Sequence, residues 1–407
     1  MRVLFIHQNF PGQFRHVARA MADAGHTVVG LGDAANLKAS QPLHPSVKVL
    51  GYRPHGGGQT RTHHYVRDFE GAVRRGQSVV RAAQELRQKG FVPDLVVAHP
   101  GWGEALFLRD VFPEARHIYY CEFFYSGYDA DVGFDPEFGA TLDDRLKVRV
   151  KNASQLISLV AMDSGISPTQ WQKSRYPDEF QSRIEVLHEG IDTLAIKPNP
   201  TAEFRVGQQR FRPGDEVVTF VSRNLEPYRG IHVFLRALPA LQRLRPNARV
   251  VLVGGDAVSY GRRLPEGQSY RDIYCKELEG KVDWSRVHFV GKLPYLEYLK
   301  VLQVSAVHVY LTYPFVLSWS LLEAMAAGCA IVASATPPVE EVITDGMNGR
   351  LVDFFDVESV AKTVARMLAA TDRNRELRAA ARSSVEERYD LRRVCLPAQL
   401  RFLYGSK

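Results

Sequence analysis

At 407 residues the chain is too long for one ordinary hydrophobic core and fits two α/β domains of roughly 200 residues each. Its 45% hydrophobic and 24% charged residues are those of a soluble globular protein, and no apolar run approaches the ~20 residues that span a bilayer. The net charge of +7 suits an anionic ligand or surface. With no aromatic RNA-binding signature, zinc-finger spacing or long basic run, the sequence argues against nucleic acid as a partner.

The N-terminal Arg2-Val3-Leu4-Phe5-Ile6-His7 is too short an apolar stretch for a signal peptide and reads as a first buried strand. Beyond it, short β-branched runs alternate with amphipathic segments, the pattern of parallel sheets covered by helices. Strands are expected at 3–8, 27–32, 47–52, 95–100, 116–121, 156–160 and 184–188 in the first half. In the second half they are expected at 217–222, 249–254, 287–291, 307–312, 330–334 and 350–353. Between the two sets, Lys197-Pro198-Asn199-Pro200-Thr201 disfavours helix and strand alike and marks the linker. The expected architecture is therefore α/β, with two Rossmann-like doubly wound domains, 1–196 and 197–390, facing a cleft. Cys121, Cys275, Cys329 and Cys395 lie far apart with no CxxC pair, which favours reduced thiols and a cytoplasmic protein. In that setting the Asn152-Ala153-Ser154 sequon is a chance match.

In doubly wound sheets ligands sit beyond the carboxyl ends of the strands, so candidates are judged by that position. The first strand runs into Gln8-Asn9-Phe10-Pro11-Gly12-Gln13, where Gly12 lets backbone approach a ligand at the helix start and Gln13 is its neighbour; an ordinary βα turn reads equally well. His99 ends Leu95-Val96-Val97-Ala98 and precedes Pro100-Gly101-Trp102-Gly103, so its imidazole is placed to face a ligand, with a hydrogen-bonded structural histidine as the alternative. His7 is a comparable candidate. His63-His64 sits in a polar, Gly-rich stretch and fits a loop or solvent surface better than a metal site. Asp129-Ala130-Asp131 has the DxD form of a metal-binding motif but lies in an aromatic loop rather than after a strand, so no metal site is expected.

The second domain opens with Val217-Val218-Thr219-Phe220-Val221-Ser222 and continues through Arg223-Asn224-Leu225-Glu226-Pro227-Tyr228-Arg229-Gly230. Arg223 and Arg229 bracket this first βα loop and can clamp a pyrophosphate, stabilising charge on a departing nucleoside diphosphate. Further on, a strand ends near Thr312 and a short helix starts at about Ser320 and stops at Gly328, which gathers backbone donors at Leu317, Ser318, Trp319 and Ser320. Glu323 points away from the apolar face of Leu321, Leu322 and Met325 and can accept from a ribose diol.

These segments together resemble the donor-site signature of the retaining glycosyltransferases of family 4, which have the GT-B fold. Arg223 and Arg229 match the Arg and Lys of the family's diphosphate loop, and Glu323-Ala324-Met325-Ala326 matches the end of its paired-glutamate motif. Val186-Leu187-His188-Glu189-Gly190-Ile191-Asp192-Thr193 is similar to its interdomain segment, and Phe289-Val290-Gly291-Lys292-Leu293 to the loop that frames the base. Glu341-Val342-Ile343 with Asp345-Gly346-Met347-Asn348-Gly349-Arg350-Leu351-Val352 resembles a further signature run. The chain departs from the family where Phe315 stands for the first glutamate of the pair, Ser318 for a glycine, and Gly12 for a double glycine.

The resemblance implies a metal-independent hexosyltransferase without cofactor. It would move a sugar from a nucleoside-diphosphate sugar to a hydroxyl of a sugar, lipid-linked or small-molecule acceptor, retaining configuration by front-face attack assisted by the leaving phosphate. It places His99 against the sugar and packs residues from about 391 back on the first domain. Acceptor contacts are expected from 53–68, with Arg53, His55, Arg61, His63, His64 and Arg67, and from 122–138. Arg74, Arg75, Arg81, Arg87 and Lys89 on one helix allow a peripheral contact with the inner membrane face, though a solvated helix face is the plainer reading. The rival functions are a nucleotide-sugar epimerase of the same fold and a non-catalytic nucleotide-sugar-binding protein.

Overall fold

The computed structural model describes residues 1–37, 43–54 and 62–405. They form two compact units, one of Met1–Gly190 with the chain from Arg392 on, the other of Ile191–Leu391. The first unit is built on β1 (Arg2–Ile6), β2 (Thr27–Asp33), β3 (Lys48–Tyr52), β4 (Leu95–Ala98), β5 (Arg116–Tyr120), β6 (Ser164–Ser167) and β7 (Ile184–Val186). All pair in parallel, in the order β3-β2-β1-β4-β5-β6-β7. Successive residues of β1 feed opposite faces. Leu4 and Ile6 join a core with Val79 and Leu86 of the helix Arg67–Gln88, whereas Val3 and Phe5 join one with Val17 and Met21 of the helix Arg15–Asp23. With both faces covered, the central strands read as continuous apolar runs rather than alternating ones.

One expected strand is a helix. Residues 156–160 lie in the helix Ala153–Ala161, which buries Ser154, Gln155, Ser158 and Leu159 and turns Leu156, Ile157 and Val160 to solvent. That burial has a 3.6-residue period, which so short an apolar run does not reveal by composition. The strand beside β5 is Ser164–Ser167, whose single β-branched residue gives little signal.

The second unit begins with an antiparallel hairpin, β8 (Phe204–Val206) and β9 (Gln209–Phe211), that the sequence reading does not include. Its main sheet holds β10 (Val217–Asn224), β11 (Arg249–Gly255), β12 (Val287–Phe289), β13 (Val307–Tyr310), β14 (Ala330–Ser334) and β15 (Arg350–Val352), all parallel, in the order β12-β11-β10-β13-β14-β15. Each sheet thus winds outward in both directions from its first strand. The switch points lie between β1 and β4 and between β10 and β13, where a doubly wound fold opens a crevice for ligands.

The end of the chain belongs to the first unit. The Arg116 guanidinium donates to the carbonyls of Phe402 and Leu403, both at 3.1 Å, and Gln399 Nε2 donates to the His188 carbonyl at 2.8 Å. Leu403 of the helix Leu396–Tyr404 is buried in the same core as Val17 and Met21.

Candidate functional site

In the first unit, Ile6 and Ala98 pair across the switch point, so the residues that follow them, His7 and His99, emerge side by side, with ring centroids 5.3 Å apart. Gly12 begins the next turn at φ 48°, and a Cβ there would lie 2.7 Å from His7 Cε1, so only glycine fits against the imidazole. Gln13 Nε2 donates to Glu122 Oε1 at 2.9 Å, and His99 Nε2 lies 3.2 Å from Glu122 Oε2. His99 Nδ1 accepts from the Gly101 N–H at 3.1 Å, which leaves the ring proton on Nε2 to donate to Glu122. Trp102 stacks on the His99 ring at 4.1 Å, and its carbonyl is held by Arg75 Nε at 2.6 Å. Burial, and then the neighbouring His99, lower the His7 pKa to about 3, so this ring is neutral at physiological pH. Burial also pushes the Glu122 carboxyl up. The hydrogen bond from His99, with the electrostatic pull of the two imidazoles and the bond from Gln13, outweighs it and holds the group below its ordinary range as a carboxylate.

Glu122 is not among the sequence candidates, because it lies two residues beyond the end of β5 whereas His99 directly follows β4. In the sequence it reads as the start of the aromatic 122–138 loop.

In the second unit, Arg223, Asn224, Arg229, Tyr260, Ser318 and Ser320 line one pocket at the β10/β13 switch point. Arg223 is exposed at the end of β10. Arg229 is buried, and its Nη1 donates to Thr312 Oγ1 at 2.8 Å, to the Val316 carbonyl at 3.2 Å and to Tyr310 Oη at 3.4 Å. Gly230 follows it at φ 69°, and a Cβ there would meet Leu311 Cβ at 2.3 Å. The neighbouring loop is fixed by Glu226, a fully buried carboxylate that accepts the backbone N–H groups of Ser259, Tyr260 and Gly261 at 3.0–3.2 Å. Tyr260 is thereby set 5.5 Å from the Arg229 guanidinium.

Ser318 caps the helix Trp319–Ala326. Its N–H donates to Tyr310 Oη at 2.9 Å, and the Ser320 N–H donates to Ser318 Oγ at 3.4 Å, so these two amides have partners within the unit. Leu317 is buried against Leu321 and Tyr310, and Trp319 is 44% exposed. Glu323 accepts from Tyr295 Oη at 2.9 Å and Tyr298 Oη at 2.7 Å, one tyrosine on each oxygen. Burial outweighs both hydrogen bonds and holds its carboxyl above the ordinary range. Leu293, in the loop after β12, is half-buried against the core rather than turned to solvent. Phe315 is buried edge-on to Tyr228 and Tyr260, at centroid distances of 5.8 and 4.9 Å, so an aromatic cluster occupies the position where the family has a carboxylate.

The remaining candidates lie apart from both clusters or are already engaged. His63 and His64 stack at 4.6 Å, and His64 and Tyr65 reach Asp143 on the helix Leu142–Lys151. His55 and Arg61 lie outside the described residues. Asp131 is buried, and among the described residues no group of three His, Cys, Asp or Glu could hold a metal ion. Arg74 pairs with Glu70, Arg75 with the Trp102 carbonyl, and Arg87 with the Val111 carbonyl, so much of that basic helix is internally committed. No helix of the described residues is long and apolar enough to cross a membrane.

Two family models match the chain: that of the glycosyl transferase family 4 group over residues 24–196, and that of the glycosyl transferases group 1 over residues 203–384. The chain belongs to the group 1 glycosyltransferases. Similar proteins include a GDP-mannose-dependent α-(1-6)-phosphatidylinositol monomannoside mannosyltransferase of Mycolicibacterium smegmatis, 26% identical over 54% of this chain and 55% of that one. Spore coat protein SA of Bacillus subtilis is 26% identical over 54% and 58%, and a D-inositol 3-phosphate glycosyltransferase of Mycobacterium ulcerans 27% identical over 46% and 38%. The chain therefore spans about half or less of the length of these relatives. Among solved structures, sucrose-phosphate synthase of Thermosynechococcus elongatus superposes with a TM-score of 0.73 at 18% identity, and Anabaena HepE bound to UDP with 0.69 at 17%, each over the full length of both chains. At such identities the likeness is one of fold, and the fold is the two-domain GT-B architecture of this group.

Proposed function

We propose that the chain is a retaining, metal-independent hexosyltransferase that takes its sugar from a nucleoside diphosphate and gives it to a hydroxyl acceptor. The observation that carries this reading is the pocket at the β10/β13 switch point, where Arg223 and Arg229 flank a cavity that also meets Ser318 and Ser320. Two guanidiniums there can neutralise a departing diphosphate without a divalent ion. Glu323 keeps a lone pair on each oxygen beyond its tyrosine bonds, and these suit the two hydroxyls of a ribose. Leu293 would border the base, Leu317 and Trp319 would flank the phosphates, and the Gly12, Gln13 and His99 cluster would face carbohydrate. HepE binds UDP and UDP-glucose, and the mycobacterial relative is GDP-mannose-dependent, so both nucleotides belong in the test. The inositol-based acceptors named for the relatives favour a polyol or glycolipid acceptor.

Phe315 favours one alternative, a binder of nucleotide sugars without turnover, because the aromatic cluster brings no carboxylate to the sugar. Thermal shift with UDP-glucose and GDP-mannose, followed by labelled-sugar transfer, separates the two. A true donor at a hundred times its Kd stabilises the fold by about 2.7 kcal/mol. Glu323→Ala should weaken that shift. No shift with any nucleoside-diphosphate sugar sinks both readings, and a shift without transfer or hydrolysis leaves the silent binder.

A further inference from the structure

His99 has no hydrogen-bonding capacity left for a ligand. Its Nδ1 is filled by the Gly101 N–H, its Nε2 proton goes to Glu122, and Trp102 covers one face of the ring. The side chain is 4% exposed, against 31% for Glu122. Glu122 is the opposite case. A carboxylate has about four acceptor directions, and here Gln13 fills one on Oε1 and His99 one on Oε2. The backbone beneath is pinned as well, since the Glu122 carbonyl accepts from Gln172 Nε2 at 2.6 Å and its N–H donates to the Tyr120 carbonyl at 3.1 Å. A fixed, partly exposed anion therefore stands at the carboxyl ends of β1, β4 and β5, beside the switch point. Its negative charge repels phosphate and suits a hydroxyl donor.

We propose that Glu122 is the group at this sheet edge that binds a carbohydrate hydroxyl, and that His99 acts through it as a positioning residue. The proposal rests on the transferase reading above and moves the sugar contact from the imidazole to the carboxylate that the imidazole orients.

The test uses the full chain and compares Glu122→Gln, His99→Ala and His99→Gln. Glu122→Gln removes the negative charge and turns one acceptor oxygen into an amide N–H2, which Gln13 can meet only by turning its own amide over; kcat/KM for transfer falls at least 50-fold. His99→Ala costs at least tenfold. His99→Gln recovers most of that loss, because its amide N–H can donate from near the place of Nε2. Calorimetric binding of UDP or GDP alone stays within threefold in all three, which shows that the second unit is intact. A higher donor KM with slower acceptor-free hydrolysis assigns the hydroxyl to the donor sugar, and a higher acceptor KM with hydrolysis unchanged assigns it to the acceptor; either supports the proposal. If Glu122→Gln melts early, Glu122→Asp, which keeps the charge and withdraws it by one methylene, is read in its place. An active wild type whose Glu122 variants stay within threefold in every parameter overturns the proposal, as does His99→Gln being as impaired as His99→Ala. A wild type that neither binds nor uses any donor overturns the transferase reading instead.

Discussion

Arg223 and Arg229 are proposed for the same diphosphate, yet the structure gives them different second roles, and alanine substitution should separate them. Arg229 is buried and holds the 312–316 segment through bonds of 2.8 Å to Thr312 and 3.2 Å to Val316. Hydrogen bonds from a charged donor contribute roughly 1.5–3 kcal/mol each, and part of that sum offsets the cost of burying the guanidinium, which disappears with it. Arg229→Ala should therefore destabilise the second unit by about 2–4 kcal/mol, or about 4–16 °C in Tm for a unit of this size. Arg223 is exposed, and its removal should stay within about 0.5 kcal/mol. Each variant should also lose one charge-assisted phosphate contact, weakening UDP or GDP binding roughly 10- to 150-fold. Differential scanning calorimetry and isothermal titration read the two effects separately. Arg223→Ala binding nucleoside diphosphate as tightly as wild type would refute its assignment, and an Arg229→Ala protein melting with wild type would refute the packing argument.

Two further outcomes follow from buried groups. Glu104 is 1% exposed; its Oε1 accepts from Tyr52 Oη at 2.6 Å, its Oε2 has no hydrogen-bond partner among the described residues, and burial raises its pKa. A carboxyl raised in the folded state gives stability that is complete below its unfolded value and is lost as pH rises through the folded one. Glu104→Gln does not ionise, so its Tm relative to wild type should climb between pH 5 and pH 8; a constant difference contradicts the raised pKa. Phe315→Glu restores the family's residue type but places a carboxylate among the rings of Tyr228 and Tyr260, so it should cost about 3–5 kcal/mol and bring no gain in transfer. A stable, faster variant in melting and transfer assays would show that the cluster can open.

The doubly wound plan was legible because its central strands are buried on both faces, and Val217-Val218-Thr219-Phe220-Val221 or Ala330-Ile331-Val332-Ala333 can hardly be anything else. Residues 156–160 misled because five residues, mostly apolar, fit a strand or a helix, and only the burial of Ser158 beside Leu159 decides. The candidate sites were legible where chemistry follows a strand directly, as at His99 and Arg223. They were not where partners arrive from elsewhere in the chain. Tyr295 and Tyr298 reach Glu323 from a helix more than twenty residues upstream, and Glu122 meets Gln13 from 109 residues away. Glu226 could not be read as a loop anchor, because its partners at Ser259–Gly261 are backbone amides that carry no sequence signature.

The helix Leu396–Tyr404, stitched to Arg116 and His188 of the first unit, sets an order of events during synthesis. The chain from Ile191 to Leu391 is an insertion within the first unit, so that unit cannot close its core over Val17 and Met21 until Leu403 has left the ribosome. The second unit, whose residues are contiguous, can fold first. A chain cut at residue 391 and released from the ribosome would hold a complete second unit beside a first one still lacking Leu403.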